Sequence, residues 1–110
     1  MTHHRRKFRN TPVVVDGARF DSKGEARRWD ELQLLERAGK IRSLERQKRI
    51  RLTVEGVHIC TWVVDFAYFE GERRVWEDFK NPVTAKHPVY RIKRKLAQAI
   101  YPAVIIREVF

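Results

Sequence analysis

Asp65 lies in the run Trp62-Val63-Val64-Asp65-Phe66, and Asp78 and Lys80 flank Phe79 in the run Trp76-Glu77-Asp78-Phe79-Lys80. Between them stands Gly71-Glu72, and a glycine in the first of two loop positions suits a type II′ hairpin turn. A hairpin closed there sets Glu70 against Arg73, and counting outwards sets Asp65 against Asp78 and Val63 against Lys80. Residues directly opposite share a sheet face with Cβ atoms ~5 Å apart, so two carboxylates at that level repel each other. A divalent cation bridging both would remove the repulsion. Side chains alternate along a strand, which puts Asp78 and Lys80 on one face and Glu77 and Phe79 on the other. Asp78, not Glu77, therefore joins Asp65. An ammonium beside a metal-bound carboxylate orients or activates a water, or stabilises the charge of a phosphorane-like transition state. The plainer alternative is an ion pair at the rim of a sheet. The apolar company of Asp65 weighs against it, since mid-strand carboxylates among apolar residues are more often functional than decorative.

Glu25 is a third carboxylate. At helical spacing, positions 25, 29, 32 and 36 fall in one stripe, so Glu25 shares the sheet-facing side with Trp29 and Leu32. It is also the fourth residue of Ser22-Lys23-Gly24-Glu25, where a capping box would use it to close the helix start. The spacing leaves both roles open.

These residues need a helix and two paired strands to position them. Residues 1–11 read as a flexible basic arm and residues 12–110 as one domain. Val13 to Phe20 form a short hairpin around Asp16-Gly17, and a helix starts at Ser22 and stops at Gly39. Ile41 to Leu44 connect it to a strand marked by the alternating Ile50, Leu52 and Val54. Val57 to Phe69, apolar on both faces, reads as a central strand, followed by Arg73–Lys80, which Asn81-Pro82 ends. A second helix runs from about Pro88 to Ile100 with Val89, Ile92, Leu96, Ala99 and Ile100 on one face. Pro102 ends it, and a last strand covers 103–109. The expected fold class is α/β, a mixed central sheet flanked by helices.

The chain has 110 residues and carries 24 Lys and Arg against 14 Asp and Glu, a net charge of +10, which points to a polyanionic partner, nucleic acid first. The excess is uneven: Arg5, Arg6, Lys7 and Arg9 crowd the head, and no acid falls between Phe79 and Arg107, where Lys86, Arg91, Lys93, Arg94 and Lys95 lie. These are the expected DNA-binding residues. No apolar run approaches the ~20 residues that span a bilayer, and no apolar stretch follows the basic head, so no membrane partner and a cytoplasmic location are expected. Cys60, the one cysteine, reads as a small core residue. There is no Walker loop, dinucleotide fingerprint or zinc pattern. Trp76 reads as packing, with base stacking the lesser alternative.

Glu25 on a first helix, Asp65 on a strand, Asp78-Phe79-Lys80 on the next strand and then a basic helix together resemble the PD-(D/E)XK nuclease superfamily. The stretches FDSKGEARRWDELQLLERAGKI, WVVDFAYF, VWEDFK and YRIKRKL resemble a family of small phage and prophage proteins of unknown function placed in that superfamily. The resemblance spans about residues 18–108. It implies a restriction-endonuclease-like core, metal-dependent phosphodiester hydrolysis and kinship with Holliday-junction resolvases. Glu25, Asp65 and Asp78 would then be ligands of Mg2+, which Mn2+ may replace, and Lys80 the catalytic lysine. Gln47 would be an accessory contact or simply a polar residue at a strand start. Two departures stand out: Asp78 where the superfamily often has Glu, and Asn81-Pro82 where a glycine is more typical. The expectation is a Mg2+-dependent DNA endonuclease, selective for branched or four-way junction DNA, acting as a homodimer in a bacterial host cell. Its rival is a non-catalytic DNA-binding protein that retains the fold.

Overall fold

Alternating sequences on either side of Glu55-Gly56 and Gly71-Glu72 fold into one long antiparallel meander. In the computed structural model, which describes residues 12–15 and 17–110, the elements are β1 (Val13–Val15), β2 (Ala18–Phe20), α1 (Lys23–Arg37), β3 (Arg42–Val54), β4 (Val57–Glu70), β5 (Arg73–Phe79), α2 (Pro82–Ala85), α3 (Pro88–Ile100) and β6 (Ile105–Val109). Both turns have the backbone their residues allow. Gly71 alone has positive φ (64°) in its turn, as type II′ needs, whereas Glu55 and Gly56 both do (52° and 80°), as type I′ needs. The main sheet has the order β3-β4-β5-β6, antiparallel except for the parallel pair β5–β6, and β1 and β2 form a separate hairpin. This is the expected α/β architecture with a mixed sheet and helices on its faces. The short helix α2 is an addition: Asn81 not only breaks β5 but caps a turn, accepting from Thr84 N–H at 2.9 Å.

Each helix covers one face. Leu32 and Trp29 of α1 pack with Ile41, Leu44, Phe66, Tyr68 and Val75. Tyr90, Leu96, Ala97 and Ile100 of α3 pack with Ile50, Leu52, Trp62, Val64 and Trp76, and Cys60 lies against this second cluster. The expected face of α3 is thereby corrected. Val89 and Ile92 are 54% and 65% exposed, because Tyr90 and Ala97 turn the helix about its axis to meet the sheet. Trp76 is buried edge-on against Tyr101 at 5.1 Å, which settles it as a packing residue.

β3 is one strand from Arg42, not a connector followed by a strand, because β4 is long enough to pair with all of it. It is not regular, however. Residues of equal parity share a face of a strand. Yet Leu44 packs under α1 and Ile50 and Leu52 under α3, while on β4 Phe66 packs under α1 and Val64 under α3. Both strands therefore exchange faces at one level of the sheet. Gln47, at φ 51°, provides the irregularity on β3, and the register 46–66 and 48–64 places Asp65 opposite it. Among the described residues, no helix is long and apolar enough to cross a membrane.

Candidate functional site

The β4–β5 ladder has the register counted from its turn, from Glu70–Arg73 down to Phe66–Glu77. One step further, where Asp65 and Asp78 come level, the ladder ends and each aspartate bonds to backbone on the opposite strand. Asp78 Oδ1 accepts from Asp65 N–H at 3.0 Å, and Asp65 Oδ2 accepts from Phe79 N–H at 2.8 Å. These charge-assisted bonds hold both carboxylates in the opening between the strands. Val63 and Lys80 are not partners, contrary to the count. Val63 pairs with Arg49, and Lys80 N–H donates to the Val109 carbonyl at 2.7 Å, because the end of β5 stays with its parallel neighbour β6.

Lys80 Nζ lies 3.4 Å from Asp78 Oδ2 and 4.2 Å from the centre of the Tyr90 ring. The contact with Asp78 is an ion pair without hydrogen-bond alignment, and Oδ2 is buried with no hydrogen-bond partner. Gln47 Nε2 stands 3.5 Å from Asp65 Oδ1, at the outer limit of a hydrogen bond. The neighbouring Glu77 faces the other way, as alternation requires. It is fully buried, held by two bonds from Arg28 (2.6 and 3.0 Å) and one from the Tyr68 hydroxyl (2.7 Å). Arg28 thus ties α1 to β5 beside Asp78.

Glu25 enters from the first turn of α1. Half of the capping box forms: Ser22 Oγ accepts from Glu25 N–H at 3.1 Å. Glu25 Oε2, however, is buried with no hydrogen-bond partner. The turn comes this close to β5 because of Gly24. A Cβ there would stand 2.4 Å from Phe79 Cζ.

Burial is the main reason the three carboxylates titrate high. It pushes Asp65 up to about 7, aided by the charges of Asp78 and Glu25 and opposed by the Phe79 N–H and Lys80. Asp78 is raised by burial and by Glu108, against the pull of Lys80 and the Asp65 N–H. Glu25 is raised by burial, Asp21 and Asp78, against Arg46. Glu108 was not legible in the sequence. It is the β6 partner of Asp78, and its carboxylate takes the Tyr90 hydroxyl at 2.6 Å with Arg94 Nε 3.9 Å away. A parallel pair has no tight turn from which to count its register.

As donors, three carboxylates with unpartnered buried oxygens on Glu25 and Asp78 suit a hard divalent cation such as Mg2+ or Mn2+. As the side chains stand, no three His, Cys, Asp or Glu among the described residues converge on a single metal position. The basic residues divide into two groups. Lys86, Arg91, Arg94 and Lys95 line one cavity of about 260 Å3 beside Glu108. Lys93 donates to the Thr61 carbonyl at 3.2 Å and joins Lys80, His87 and Trp62 around a second cavity of about 370 Å3. Arg5, Arg6, Lys7 and Arg9 lie outside the described residues.

A family model described as "Protein of unknown function (DUF1064)" matches residues 5–109. No curated protein and no solved structure matches the chain.

Proposed function

We propose that this chain, which belongs to the DUF1064 family, is a divalent-metal-dependent endonuclease that hydrolyses DNA phosphodiester bonds on a restriction-endonuclease-like, PD-(D/E)XK core. The observation that carries the reading is the level where the β4–β5 ladder ends. Two aspartates from adjacent strands, a lysine two residues on and a buried helix glutamate act on one another there, with Glu25 Oε2 and Asp78 Oδ2 left without hydrogen bonds. A fold gains nothing in stability from burying three carboxylates together beside a single lysine.

Glu25, Asp65 and Asp78 would hold Mg2+, with Mn2+ able to replace it. When bound, the ion polarises the scissile phosphate and lowers the pKa of an attacking water. The protein's own groups do the rest. Phe79 N–H and Asp65 N–H fix the two aspartates across the opening. Lys80, supported by the Tyr90 ring, presents an ammonium to the negative charge that develops on the phosphate. The basic residues of α3, Arg91, Lys93, Arg94 and Lys95, neutralise the DNA backbone nearby.

The test is cleavage of linear, flapped and four-way-junction DNA with Mg2+, Mn2+ or EDTA. Cutting with either metal, abolished by EDTA and by Asp78→Ala, supports the reading. Tight binding of DNA with no cleavage under any condition replaces it by the non-catalytic DNA-binding alternative.

A further inference from the structure

β4 pairs with β5 only as far as Phe66; beyond that level, residues 57–64 have β3 as their one strand partner. The β3–β4 ribbon therefore extends past the rest of the sheet, and its two faces differ. Ile50, Leu52, Trp62 and Val64 lie beneath α3. On the opposite face, Arg49 sits directly across from Val63 and Arg51 across from Thr61; the register shift after Leu52 then brings His58, across from Thr53, onto this face, where its ring meets Thr61 Oγ1 at 3.1 Å. Among the described residues this face is open: Val63 is 38% exposed, His58 is exposed, and Arg49 and Arg51 are exposed without an ion-pair partner. It leads directly to Gln47 and Asp65, the next odd positions on the two strands.

We infer that this uncovered face of the β3–β4 ribbon is the docking surface for a duplex arm of the DNA substrate. The inference rests on the nuclease reading and adds a further DNA contact to those proposed for α3 and the N-terminal residues. Charge decides the occupant. Residues 46–54 and 57–64 contain no Asp or Glu, and Glu55 stands alone at the tip of the ribbon. A second copy seated here would set Arg49 and Arg51 against the like charges of a chain whose net charge is +10. On DNA the guanidinium groups reach phosphates, while Val63 and the Thr61 methyl across from them meet sugars and thymine methyl groups. From Asp65 to Thr61 is four residues, which at ~3.3 Å per residue is ~13 Å of strand. That matches ~4 nucleotide steps of 3.4 Å along one DNA strand.

The inference is tested without catalysis, by fluorescence anisotropy of full-length protein on a linear DNA duplex in EDTA over a range of salt concentrations. Arg49→Ala/Arg51→Ala removes two exposed side chains and should leave the circular dichroism spectrum and melting temperature unchanged. It should weaken binding on the order of tenfold or more and lower the slope of log affinity against log salt by roughly two, since each phosphate contact contributes about 0.9. Arg37→Ala, at the far end of α1, serves as the control and should change neither. Wild-type affinity and slope in the double variant would overturn the inference while leaving the nuclease reading to its cleavage assay. Failure of the wild-type protein to bind DNA at all would overturn both. Val63→Glu should weaken DNA binding at unchanged sedimentation; if instead it splits a dimer and leaves DNA affinity intact, the face belongs to a second copy and the inference falls.

Discussion

Asp65 and Asp78 each give one carboxylate oxygen to a backbone N–H of the opposite strand, which orients them but leaves their repulsion in place. Lys80 is the nearest cation and relieves Asp78 more directly than Asp65. Asp78→Ala and Lys80→Ala should each slow DNA cleavage by a factor on the order of a hundred or more with little change in DNA affinity, as the loss of charge-stabilising groups does elsewhere. Single-turnover kinetics beside a binding titration would check this, and wild-type cutting by Asp78→Ala would eliminate the site. Glu25→Gln separates cap from ligand. The Ser22 Oγ bond to the backbone N–H at position 25 survives, and Gln serves a capping box as well as Glu does. The variant should therefore melt like wild type yet bind metal more weakly and cut more slowly. Proton linkage gives a separate prediction for the metal-free protein. Asp65 titrates at about 7 in the folded chain against 3.8 as the ordinary value, so the folded state binds its proton more tightly than the unfolded state. The cost of the buried charge is then fully present above pH 7 and is relieved as pH falls from 7 towards 4. Melting temperature in EDTA should rise on going from pH 8 to pH 5.5, Asp65→Asn should flatten that rise, and Mg2+ added at pH 8 should restore stability by taking the place of the proton. A melting temperature in EDTA that falls over the same range would contradict the burial of these charges.

The elements differ in how far the sequence discloses them. The β4–β5 register was legible because Gly71 dictates a two-residue turn, and every later pairing follows by counting; that count brought Asp65 level with Asp78 and turned Glu77 away. It failed at Val63 and Lys80, since counting assumes that strands stay together, and β5 parts from β4 to remain with β6. The side of α3 that faces the sheet was not legible either. Val89 and Ile92 are more apolar than Tyr90, but Tyr90 can bury its ring and still bond its hydroxyl to Glu108. Gln47 is the least legible of all. Its φ of 51° leaves no mark in a Gln residue, yet at its level both β3 and β4 exchange faces beside Asp65. A left-handed backbone costs a residue with a Cβ ~1 kcal/mol or more, and glycine adopts it freely. Gln47→Gly should therefore leave stability unchanged or raise it by up to ~1 kcal/mol, while cleavage slows through loss of the amide beside Asp65. Chemical denaturation and kinetics on the same preparation would show the two signs. A variant that gains stability and cuts normally would reduce Gln47 to a structural residue.

On the scale of the whole molecule, the described residues present one carboxylate site, and on the nuclease reading one site cuts one strand. Resolving a four-way junction takes two symmetric cuts, which a two-fold dimer supplies. Charge sets a condition on such a dimer: chains of net charge +10 repel each other, so their contact must be an apolar surface away from the arginines, or DNA must hold the pair together. Val89 and Ile92, exposed on the outer side of α3, and Leu34 and Leu35 on α1 are apolar positions outside the ribbon. We therefore expect a homodimer that prefers junction to duplex, with an affinity that falls steeply as salt rises, because each lysine or arginine contact releases counterions from the phosphates. Deleting residues 1–9, which carry Arg5, Arg6, Lys7 and Arg9, should weaken binding and flatten the salt dependence while the rate of cutting at saturating protein is kept. Light scattering at micromolar concentration reports the assembly, and gel-shift competition between junction and duplex reports the preference. If the protein is a monomer at every concentration and binds both substrates equally, a strand-nicking nuclease without structural selectivity becomes the better account of the same carboxylates.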